Sequence, residues 1–105
     1  MEVIFSNPSL KDIYQHGFAR KGTYGQDVVK AFIKKVDILI AAPNSRELMF
    51  ITSLHFKKLV REKKYKGKYS VRVNDQYRIV FSIIKQLGGK QTIEIAEIEA
   101  LTDYH

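Results

Sequence analysis

Two alternating stretches flank Asn74-Asp75-Gln76, and their parity constrains the fold more tightly than any other feature. Tyr69, Val71 and Val73 fall on one face of an extended chain, with Ser70 and Arg72 on the other. Beyond the tripeptide, Tyr77, Ile79, Phe81 and Ile83 share one face, and Arg78 and Ser82 share the opposite one. Residues directly opposite each other in an antiparallel pair lie on the same face, so the apolar faces match only where paired numbers have an even sum. A three-residue loop, Asn74 to Gln76, sets Val73 against Tyr77, and Arg72 then faces Arg78. Like charges placed so cost roughly 0.2–1 kcal/mol. Either both arginines splay into water, or the pair holds a site for an anion.

Charge around this hairpin favours the anion. From Lys57 to Phe81 there are nine basic residues, opposed by Glu62 and Asp75 alone. The whole chain has 105 residues and a net charge of +7. That suits one domain, residues 1–105, with one core. The balance points to nucleic acid, the ribosome or an acidic protein as partner. There is no cysteine, which excludes disulfides and thiol catalysis and fits a reducing compartment. No apolar run is long enough to span a bilayer, and MEVIFSNPSL has neither a basic n-region nor an h-region. A cytoplasmic chain with no membrane partner is expected.

Taken in order, Glu2 to Ser6 reads as a strand with Val3 and Phe5 on one face. Asn7 then caps a helix that has Pro8 at its first position. Leu10, Ile13 and Tyr14 form its apolar stripe, Gly17 stops it, and His16 reads as a last-turn residue. Thr23 and Gln26 have capping-box spacing. A second helix follows, from about Gly25 to Ala41, with Val28, Val29, Phe32, Ile33, Val36, Leu39 and Ile40 as its apolar face. Pro43 and Asn44 end it. Ser45 to Leu59 lacks clean periodicity and reads as a helical turn followed by an extended arm. It carries His55 between apolar residues, a setting that more often packs a histidine than employs it. Leu87-Gly88-Gly89 marks a turn. Ile93 and Ile95 share a face, and the break at Glu97-Ile98 predicts a bulge or bend. The order is strand, two helices, then three antiparallel strands. The fold class is therefore α+β, with two N-terminal helices packed on a small antiparallel sheet.

The sequence offers no metal site, no phosphate-binding glycine loop and no nucleophile elbow, so neither metal nor cofactor is expected. RNA cleavage needs neither, because the 2′-OH is the nucleophile. The protein must take its proton, stabilise the phosphorane charge and protonate the leaving 5′ oxygen. Histidine suits the proton transfers, arginine the phosphate and tyrosine a base. His55, Asp103, Tyr104, His105, Arg72 and Arg78 would make a sufficient set if they converged.

The stretch Lys66-Gly67-Lys68-Tyr69-Ser70-Val71-Arg72-Val73-Asn74-Asp75-Gln76-Tyr77-Arg78-Ile79-Val80-Phe81 resembles the signature hairpin of the HigB toxins, within the RelE/ParE superfamily. Leu54-His55 resembles the Leu-His ahead of that hairpin, and Asp103-Tyr104-His105 resembles the family's usual ending. The three pieces occur in family order. The resemblance implies a microbial-RNase-like fold and the toxin of a type II toxin–antitoxin pair, acting as a ribosome-dependent mRNA endonuclease. It implies a HigA-like helix-turn-helix antitoxin as partner, with operator DNA bound only through the antitoxin complex. By motif position, His55, Asp103, Tyr104 and His105 would be catalytic, and Arg72 and Arg78 would hold the scissile phosphate. Lys57, Lys58, Lys63, Lys64 and Lys66 would contact RNA backbone. Two departures stand out. Val60 to Lys64 lengthens the link from His55 to the hairpin, and Glu97 to Thr102 lengthens the approach to Asp103. Two alternatives stay open: a same-fold toxin acting on a protein such as DNA gyrase, and a non-catalytic basic domain that binds RNA or antitoxin.

Overall fold

The computed structural model describes residues 1–20 and 23–103. Its elements are β1 (Glu2–Phe5), α1 (Pro8–His16), α2 (Gln26–Ala41), α3 (Ser45–Leu48), a 3-10 turn (Thr52–Leu54), β2 (Lys57–Lys58), β3 (Tyr69–Arg72), β4 (Tyr77–Gly88) and β5 (Gln91–Asp103). One sheet runs in the order β1-β5-β4-β3-β2. The fold is α+β, as expected, but the sheet is mixed. β1 lies parallel to β5, because α1 and α2, which follow β1 ahead of the rest of the sheet, supply the crossover that a parallel pair needs.

The hairpin forms in the expected register. Tyr69 pairs with Phe81, Val71 with Ile79 and Arg72 with Arg78, while the Val73 N–H donates to the Tyr77 carbonyl at 2.9 Å. The Asn74 side chain accepts from the Gln76 and Tyr77 N–H groups and so shapes the turn. On the apolar face, Val71, Val73, Ile79 and Phe81 meet Phe32, Val36 and Leu39 of α2 in the main core. Asn7 caps α1 as expected, accepting from the Ser9 and Leu10 N–H groups, and Gly17 ends it with φ of 80°.

The capping box at Thr23 and Gln26 does not form. Gly25 is the N-cap of α2, the Thr23 hydroxyl donates to the Arg20 carbonyl, and the Gln26 amide donates to that of Gly17. Both side chains serve the loop, where carbonyls lie within their reach. Ile40, expected on the apolar face of α2, is exposed because it lies on the flank of the helix turned away from the sheet.

The polar face of the hairpin differs from both readings of its arginines. It is covered. Residues 59–68 form a closed loop: the Leu59 N–H donates to the Lys68 carbonyl at 2.7 Å, and the Gly67 N–H donates to that of Leu59 at 2.8 Å. Leu59 and Tyr65 reach inward from it and pack with Val80 and Ala100 in a second, smaller core. Ser70 and Arg78 are buried beneath.

The expected irregularity in the last strand is a bulge at Glu99. Val80 pairs with Ala100 and Phe81 with Ile98, leaving Glu99 as the extra residue. Its carboxylate accepts from Lys68. Past Ser82 and Ile95, β4 and β5 run on as a two-stranded arm that turns at Gly89 (φ 69°), with Leu87 85% exposed. Glu94 ties the arm to the body, accepting from the Ser45 N–H and hydroxyl, each at 2.7 Å.

Candidate nucleic-acid interface

At the end of the sheet where β3 gives way to its turn, a cleft of about 460 Å³ opens between the 59–68 loop and the ends of β4 and β5. Glu62, Lys63, Lys64, Tyr65, Arg78, Thr102 and Asp103 line it. Each element contributes for a local reason. The loop must turn Leu59 and Tyr65 inward to cover Val80, and this leaves Lys63 and Lys64 outward. Arg78 projects from β4 beneath the loop because its parity is that of Val80. Thr102 is its partner on β5, and Asp103 pairs with Tyr77 one step further along.

Electrostatics divide the two arginines. The Arg78 guanidinium donates to Glu62 at 2.7 Å, with its side chain 6% exposed and that of Glu62 38% exposed. Arg72, directly opposite, turns to its own hairpin loop, where it meets the Asp75 carboxylate and donates through Nε to the Asn74 carbonyl at 3.1 Å. The like-charge pairing is thus relieved by two separate carboxylates. Lys64 lies over the Tyr65 ring, 5.4 Å from its centroid. Behind the cleft, the Tyr24 hydroxyl donates to the Leu101 carbonyl at 2.8 Å, and the Tyr24 and Tyr77 rings meet edge-on. Burial raises the pKa of Tyr24, and the nearby Tyr77, Asp103 and Tyr65 add to this.

Of the residues singled out in the sequence, Arg78, Lys63, Lys64 and Asp103 share this cleft. His55 does not line it. It follows the 3-10 turn in the left-handed conformation, with φ of 47°, and is exposed rather than packed. Its neighbour Phe56 packs instead, half-buried at the edge of the core and stacked on Tyr69 with ring centroids 5.5 Å apart. β2, just after His55, lies three strand spacings from β5, about 14 Å at ordinary sheet geometry. Lys57 and Lys58 are exposed on that far edge, and Lys66 is exposed on the loop. Tyr104 and His105 lie outside the described residues. Glu62, Tyr65 and Thr102 are the cleft residues that the sequence pattern does not single out; Glu62 reads there as mere opposition to a basic run. The signal that could have found it is its place as the sole acid between Lys57 and Tyr69. Among the described residues, no group of three or more His, Asp or Glu side chains is arranged to hold a metal, and no helix is long and apolar enough to cross a membrane.

The family model for the RelE-like toxin of the type II toxin–antitoxin system HigB matches residues 3–96. The chain belongs to the HigB-like toxin family. The match takes in His55, the 59–68 loop and the whole hairpin, and ends ahead of Asp103. Among solved structures, the HigB-like chain is similar to the YoeB/ParE toxin from Agrobacterium tumefaciens, with a TM-score of 0.52 and 15% identity over all of both chains. That likeness is one of fold. No curated protein matches. As a type II toxin, this HigB-like protein has an antitoxin for a partner.

Proposed function

We propose that this HigB-like toxin is a ribosome-dependent mRNA endonuclease. The observation that carries the reading is the cleft itself: a buried arginine, two exposed lysines and two carboxylates at one end of the sheet. An RNA strand laid there would present a phosphate to Arg78, with Arg72 as a second contact from the adjoining strand. In the reaction the 2′-oxygen attacks the adjacent phosphorus as its proton passes to a base, and the bond to the 5′ oxygen breaks as that oxygen takes a proton from solvent. Asp103 or His105 serves as the base. Tyr104 orients a nucleobase. His55, across the sheet, suits a phosphate contact better than a proton donor. Lys57, Lys58, Lys63, Lys64 and Lys66 hold ribosomal RNA by its phosphates, which makes binding sensitive to salt. A HigA-like helix-turn-helix antitoxin completes the system, and operator DNA is reached only through that complex.

Mapping of mRNA 5′ ends in a translating extract tests this. Wild type, Asp103→Asn and His105→Ala are compared with and without ribosomes. New in-frame ends that need ribosomes and are lost in either variant are expected. Arrested translation without new ends would instead mark a protein that binds and does not cut.

A further inference from the structure

We infer that Glu62 is a specificity-determining residue: its carboxylate occupies the phosphate position at Arg78 and so discriminates against free RNA. This rests on the reading of the cleft as an RNA site. The Arg78 guanidinium already donates to Glu62 Oε2 at 2.7 Å. Carboxylate and phosphate oxygens use the same donor edge of a guanidinium, so a phosphate arriving on that edge must displace Glu62. The two partners are unequal. Arg78 is fixed under the loop, whereas Glu62 rides on the loop's exposed part, with its side chain 38% exposed. The loop is anchored by Leu59, by Tyr65 and by the hydrogen bonds at its base. Displacing Glu62 therefore asks for movement of one side chain and leaves the fold intact.

Lys63 and Lys64 follow Glu62 directly and line the same cleft. A folded RNA surface offers several phosphates at fixed spacing. It can engage both lysines and hold the loop while one phosphate replaces the Glu62 carboxylate. A short single strand offers these contacts one at a time, each at the entropic cost of ordering the strand, and competes poorly with a carboxylate that is already in place. Glu62 thus makes access to Arg78 conditional on a structured polyanion.

The test uses the full chain and a short fluorescent single-stranded RNA carrying 2′-O-methyl groups, which cannot be cleaved. Anisotropy is followed over a range of salt. Glu62→Gln is expected to bind this RNA roughly tenfold more tightly than wild type, with a steeper salt dependence because Arg78 then neutralises a further phosphate. Glu62→Asp, one methylene shorter, should fall between them. Cleavage of unmodified free RNA relative to ribosome-bound mRNA should rise in the same order. If Glu62→Gln proves unfolded by circular dichroism, Glu62→Asp carries the comparison alone. Equal or weaker binding by folded variants, with a wild type that still cuts on ribosomes, overturns the role of Glu62 alone. A wild type that neither binds nor cuts RNA overturns the reading of the cleft along with it.

Discussion

Arg78 faces Arg72 directly across β3 and β4, yet only Arg78 is buried. The difference comes from the 59–68 loop, which covers one strand end and leaves the other to the hairpin turn. Arg78→Ala should therefore lose about 2 kcal/mol, as a charge-assisted hydrogen bond and the packing of a buried stem both go. Arg72→Ala, which removes an exposed ion pair, should lose less than about 1 kcal/mol. Urea denaturation checks the contrast. If Arg72→Ala is the costlier change, the loop does not cover Arg78 in solution.

His55 has positive φ, and among the described residues it is the sole non-glycine to do so. Glycine adopts that conformation without a Cβ penalty, whereas a β-branched residue resists it. His55→Gly should keep wild-type stability to within about 0.5 kcal/mol, and His55→Val should lose about 1–2 kcal/mol. Thermal melts measure both. Because His55→Gly spares the fold, any drop in its mRNA cleavage reports the imidazole itself.

Glu94 links acid stability to the arm. Burial works against its charge, but the hydrogen bonds from Ser45, aided by Lys85 and Arg46, outweigh it and leave the carboxyl pKa below its ordinary 4.5. A group depressed on folding contributes stability that is fully present above pH 4.5 and lost as the pH falls through the lower folded value. Glu94→Gln should be less stable than wild type at neutral pH, and the gap should close on acidification below 4.5. A gap that stays constant across that range would rule out the linkage.

Lys63 and Lys64 should contribute to RNA binding through counterion release. Each phosphate contact on a single strand adds about 0.7 to the slope of log K against log salt. Replacing both with glutamine should flatten the slope by about 1.4. Lys30 and Lys34 lie exposed on α2, and replacing those two should leave it unchanged. Equal effects from the two pairs would mean that net charge, not the cleft, governs binding.

The hairpin register was legible in the sequence because parity is a local property: Tyr69 to Phe81 fixes its own pairing. Asn7, Pro8 and Gly17 likewise announced α1 through backbone chemistry that reaches no further than a few residues. The burial of Arg78 was not legible. It depends on Leu59 and Tyr65 folding back over a strand they do not adjoin in sequence, and a basic run reads as a solvated one until something closes it into a loop. The exposure of His55 was not legible for a related reason. Its flanking apolar residues suggested packing, but the left-handed turn hands that role to Phe56 and sends the imidazole outward. Of the cleft, the cations were foreseen and their counter-ion was not.

The extra residue at Glu99 gives the last strand an unusual sensitivity to length. Ahead of it, Ala96 and Ile98 face the helices; after it, Leu101 does. Odd and even positions have exchanged meaning between them. Ordinary point changes in β5 leave that count intact. A single-residue deletion between Ile98 and Leu101 would put Thr102 where Leu101 now sits, an insertion would put Ala100 there, and either would turn Asp103 to the opposite side of the sheet. Length changes in this segment should therefore be tolerated in pairs of residues, which restore the parity, and not singly.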